Sequence, residues 1–167
     1  MGTPAASGPK RIFLSWAHLD ERLKDALLTN LLPALRMLRD VRIEWWQDSH
    51  LTCGEDLLPG IVDRLDEADY GLLLLSNRYF GSDFIRRHEL PRFAGPRADK
   101  GSLPVLVDPL PGFGPGWNLQ GVERQVVFTQ GGRSFADLSG AKRTSFANGL
   151  AAAIRRRLLG LNGYRPL

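Results

Sequence analysis

Glu89 stands among Arg86, Arg87, His88 and Arg92 in the stretch SDFIRRHELPRF, residues 82–93. A carboxylate in that company has two readings. It is one half of a solvated ion pair with Arg86 or Arg92 at helical spacing, or it is an anion kept ionised for chemistry by cations that hold its pKa low. A lone ionised carboxylate suits one kind of reaction: steadying a cationic sugar in the transition state when the leaving group needs no proton. Cleavage of an ordinary glycoside would call for a second carboxyl group to protonate the leaving oxygen.

Other chemistries find few residues to work with. SWAHLD, residues 15–20, follows the first apolar run without a glycine, so neither a P-loop nor a dinucleotide fingerprint is present. His18, His50 and His88 lack metal-ligand spacing and Cys53 has no partner thiol, so no metal and no cofactor is expected. No GxSxG elbow presents a nucleophilic serine. A single cysteine excludes an internal disulfide and fits a reducing, cytoplasmic compartment. The net charge of +4 is spread along the chain, which favours an anionic small ligand over a nucleic acid. No apolar run approaches the roughly 20 residues of a membrane span.

The 167 residues, 43% hydrophobic and 24% charged, suffice for one globular domain with its own core. RIFLS (11–15) reads as a buried strand. Asp20 is a candidate N-cap for a helix over 21–40 whose apolar face carries Leu19, Leu23, Leu27 and Leu31, with a kink or split expected at Pro33. VRIEWW (41–46) is a second strand, 47–56 a loop, and 55–68 a short helix weakened by Pro59 and Gly60. In DYGLLLLSN (69–77), four consecutive leucines predict a strand covered on both faces. A helix over 82–93 capped by Ser82 or Asp83, a strand over 102–109 and a weaker fifth strand over 124–130 follow. A helix over 142–159 closes the domain. Residues 1–9 read as a loose lead and 160–167 as a flexible tail.

Such alternation predicts an α/β three-layer sandwich with helices on both faces of a five-stranded parallel sheet, in the flavodoxin-like order 2-1-3-4-5. Its crevice would lie beyond the carboxyl ends of strands 1 and 3, where the order reverses. That puts Ser15–Asp20 and Ser76–Ser82 at its rim, with Glu89 close behind.

Several segments also resemble, in order, those of one family. FLSWAHLD resembles the first box of TIR domains, the Toll/interleukin-1 receptor family. WWQDSHLTCGEDL resembles that family's second strand and BB loop, with Asp48 and Gly54 in the expected places. ADYGLLLLSNRYFGSDFIRRHEL resembles the third strand and the helix after it, and LPVLVDP the fourth strand. The resemblance covers about residues 10–159. It departs from the common Ser-x-Trp-Cys-x-x-Glu pattern in two ways: Ser82 to Glu89 is one residue longer, and Phe84 and Ile85 replace Trp-Cys.

The resemblance to the bacterial, NAD-cleaving members implies an enzyme that breaks the nicotinamide–ribose bond, releasing nicotinamide with ADP-ribose or a cyclic form. It implies Glu89 as the catalytic residue. Ser15, Trp16, Ala17, Trp46, Asp48, Ser82 and Ile85 become candidates for binding NAD+ as substrate. It further implies an immune or antiviral effector that works as a homo-oligomer or filament through the 47–54 loop, triggered by a sensor domain or partner protein. Two alternatives stay open: a non-catalytic adaptor acting by homotypic binding, and another flavodoxin-like nucleotide enzyme such as a deoxyribosyltransferase-like hydrolase.

Overall fold

A computed structural model of the chain describes residues 8–46, 57–111 and 116–160. It is an α/β fold around a parallel sheet of order β2-β1-β3-β4. The strands are β1 (Lys10–Ser15), β2 (Ile43–Trp46), β3 (Tyr70–Leu75) and β4 (Gly101–Leu106). The helices are α1 (Glu21–Arg36), α2 (Leu57–Glu67), α3 (Asn77–Gly81), α4 (Leu90–Phe93) and α5 (Ala141–Leu158).

Strand alternation divides the core. Ile12, Leu14, Leu72, Leu74, Leu103 and Val105 face α1 and α5, in one apolar cluster with Leu27, Leu31, Phe146 and Ile154. Phe13, Leu73 and Leu75 face the other way, in a second cluster with Ile61, Leu65, Tyr79, Ile85 and Phe93. The four consecutive leucines of β3 are therefore buried on both sides, as a central parallel strand requires. Gly71, the second residue of that strand, is a glycine where Phe93 crosses it closely. A Cβ at this position would meet the ring at 2.6 Å.

Among the described residues four strands form, not the expected five. The 124–130 segment reaches β4 through one parallel bridge, Val105 to Phe128. The Phe128 amide donates to the Pro104 carbonyl at 2.8 Å, and the Leu106 amide to the Phe128 carbonyl at 3.0 Å. At its far end the ladder stops because the Gln130 amide donates to the Arg133 carbonyl at 3.1 Å; at its near end it is stopped by Pro104. Its carbonyl points towards this segment, so its nitrogen does too, and that nitrogen has no hydrogen to donate.

Other expectations also change. α1 runs through Pro33 without splitting. Leu19 is not on its apolar face but in a short 3-10 turn, His18–Asp20, and is 84% exposed. Asp20 makes no capping hydrogen bond to α1. The helix expected over 82–93 forms over 83–93, but with a π turn, Ile85–Glu89, inside it before α4, and the short α3 precedes it. The 47–54 loop, with Asp48, lies outside the described residues.

Candidate functional site

Ser15 is the last residue of β1 and shares the Phe13 face of the sheet, the side on which α3, the π turn and α4 pack. The Ser76 hydroxyl caps α3 by accepting from the Tyr79 amide at 3.0 Å, which fixes Tyr79 beneath the end of β1. The Ser82 hydroxyl accepts from the Ile85 amide at 3.3 Å, so Ser82 rather than Asp83 starts the next helical stretch.

The π turn follows from Pro91. In an α-helix its ring would press on the carbonyl of residue 87 and leave one carbonyl without a donor. The wider turn, in which the Leu90 amide reaches back five residues to the Ile85 carbonyl, precedes that break. Glu89 and Ile85, four residues apart, share one side of this turn, and both line one cavity.

Glu89 is only 8% exposed. The Ser15 hydroxyl donates to its Oε1 at 2.9 Å, and Ser15 Oγ lies 2.9 Å from the Tyr79 hydroxyl. Ser15 and Tyr79 are fully buried. Burial pushes the Tyr79 phenol well above its ordinary pKa, and the negative charge of Glu89 adds to the shift. Tyr79 therefore stays a neutral hydroxyl at any physiological pH.

The cavity above them holds about 460 Å³ and is lined by Trp16, Ala17, Arg78, Ser82, Phe84, Ile85 and Glu89, among others. Its position, beyond the carboxyl ends of β1 and β3, is where the strand order reverses. Arg78 braces this rim. Its guanidinium Nε donates to Asp20, and a terminal nitrogen donates to Asp108 at 2.8 Å. Asp20 also accepts from the Ser76 hydroxyl. One arginine thus ties together the segments that follow β1, β3 and β4. A hollow of about 570 Å³ along the edge of β4 has no acidic residue in its lining and does not join this site.

The sequence candidates divide. Ser15, Trp16, Ala17, Ser82, Ile85 and Glu89 converge here. Trp16 is half-buried against the core, its ring 5.0 Å from that of His18 and 4.3 Å from the Lys24 ammonium. Trp46 packs on the second core cluster with the Arg64 guanidinium 5.0 Å from its ring, and is not among the described residues lining the cavity. Arg92, expected beside Glu89, instead bonds Asp99 at 3.1 Å and Asp66 at 2.8 Å. Arg86 and Arg87 are exposed. Sequence reasoning missed Tyr79 and Arg78. Their signal was position alone: both follow directly on the end of β3.

No protein-family model matches the chain. Over 81 residues, 48% of the chain, it is 35% identical to a protein of Sinorhizobium fredii (strain NBRC 101917 / NGR234) described as "Uncharacterized protein y4lF". The chain spans about a quarter of that protein's length, 24%.

Proposed function

We propose that this chain is an NAD+ nucleosidase that cleaves the bond between nicotinamide and ribose, with Glu89 as the catalytic anion. The observation that carries this reading is a buried carboxylate on the wall of a crevice at the sheet's reversal point, fixed by a serine hydroxyl. The TIR resemblance of the sequence points the same way. The extra residue between Ser82 and Glu89 is consistent with it, because a π turn takes up one residue more than an α turn.

The chemistry needs little more. Nicotinamide in NAD+ is a cationic leaving group and departs neutral when the ribosyl C–N bond breaks, taking the bonding electrons. The ribose becomes oxocarbenium-like, and an adjacent carboxylate stabilises that charge. Water, or a hydroxyl of the same substrate, then adds to the anomeric carbon and loses a proton, giving ADP-ribose or a cyclic product. Phe84, Ile85 and Ala17 give the wall the apolar character that strengthens the electrostatic term.

In the same reading the chain acts as an assembled immune effector switched on by a sensor. Mass spectrometry of NAD+ incubations, with wild type and Glu89→Ala in dilute and assembled states, tests the proposal. Nicotinamide from the wild type alone is expected. Equal release by both, or none from an assembled wild-type sample, would overturn it, and the second result would favour a binding module.

A further inference from the structure

Tyr79, Ser15 and Glu89 come from three separate elements, α3, β1 and the π turn, and meet in two hydrogen bonds of 2.9 Å each. An ionised carboxylate only accepts, so the single Ser15 hydroxyl hydrogen is committed to Glu89. The Ser15 oxygen must then accept from Tyr79, and the direction of both hydrogens is fixed. We propose that Tyr79 is a positioning residue for Glu89, acting through Ser15 as a relay that orients the carboxylate and favours its ionised form.

The proposal rests on Glu89 being the working anion, yet its physics can be read without turnover. A hydroxyl that already accepts a hydrogen bond is a stronger donor, since buried hydrogen bonds in series polarise one another. The carboxylate gains and the protonated acid does not. Tyr79 is also held by its core contacts. Its ring packs edge-on to Phe80 at 5.4 Å, and its backbone amide caps on Ser76. The donor is therefore held in place before any ligand arrives.

Among the described residues, the charged and titratable groups that line the cavity with Glu89 are His18 in the turn after β1 and Arg78 on α3; on its own turn Arg86 and Arg87 are exposed and His88 is half-buried. From α2 the wall is Leu57 and Ile61, which carry no charge. Tyr79→Phe alters none of these and removes a single oxygen.

The sign follows. Losing the relay disfavours the carboxylate, so its titration midpoint moves to higher pH. The experiment is a carbon-13 titration of the Glu89 carboxyl, assigned with Glu89→Gln, in wild type, Tyr79→Phe and Ser15→Ala. It is paired with the pH profile of nicotinamide release. Tyr79→Phe is expected to raise the carboxyl midpoint by about half a pH unit. Ser15→Ala, which takes away the direct bond, is expected to raise it by about one. The acid limb of kcat moves by the same amounts, and in Tyr79→Phe, whose side chain does not line the cavity, KM for NAD+ stays within about twofold. An unmoved midpoint in folded Tyr79→Phe would overturn the relay. Should that variant not fold, an unmoved midpoint in Ser15→Ala would do so. A wild type that releases no nicotinamide but shows the midpoint shifts would sink the proposed reaction and leave the relay standing.

Discussion

Asp20 is a buried carboxylate held by two side chains that lie 56 and 58 residues further along the chain. Read locally, an aspartate just before a helix is a cap, because capping needs only the next three residues. Its actual partners, Ser76 and Arg78, become neighbours only when β1 and β3 pair. The same distance hid Tyr79 from the sequence, whereas Ser15, Ile85 and Glu89 were legible from strand ends and helical spacing. Removing Arg78 would leave Asp20 with an unpaired charge. Breaking a buried pair costs about 3–5 kcal/mol, less where one member reaches solvent, and the Arg78 side chain is 37% exposed. Arg78→Ala is therefore expected to lower stability by about 2 kcal/mol in urea unfolding. Asp20→Asn, which removes the buried charge, should cost less. Equal stability of Arg78→Ala and wild type would show that the brace contributes nothing.

The strand pattern was legible because four leucines in a row leave no polar side, and two clusters on opposite faces absorb them alternately. The π turn was not, since hydrophobic periodicity assumes one helical pitch and a single widened turn shifts it by one residue. The weak fifth strand was half legible. Its apolar residues suggested pairing, but the obstacle lay in β4, at Pro104. Pro104→Val restores a donor facing that segment. Protection of the new amide at position 104, with slower exchange of the Phe128 amide, is expected, and an unprotected amide at 104 would mean that Pro104 is not what limits the ladder. Gly71 carries the second prediction at this scale. Gly71→Ala puts a methyl group 2.6 Å from a ring that is itself 1% exposed. A loss of about 1–3 kcal/mol follows from overpacking. Phe93→Leu in the same chain should recover part of it, and no recovery would locate the strain elsewhere.

At the scale of the whole molecule, the crevice was readable from the order of elements alone. Strand, helix, strand, helix, strand leaves few right-handed parallel topologies, and the reversal between β1 and β3 fixes where a ligand site opens. Its mouth was harder to read. The cations around Glu89 in sequence do not surround it in space, for Arg92 turns to Asp66 and Asp99, while Arg86 and Arg87 face solvent. What the fold supplies instead is burial, a serine hydroxyl and an apolar wall. The fold thus sets a carboxyl group at the crevice, and the proposed cleavage needs its charge to act on the ribose. Glu89→Gln keeps the shape and an acceptor for Ser15 while removing that charge. The deciding measurement is the rate of nicotinamide release from NAD+ by assembled wild type and Glu89→Gln, both shown to be folded. A fall of about 10²–10³-fold in kcat is expected. Turnover by the neutral variant at the wild-type rate would contradict the account.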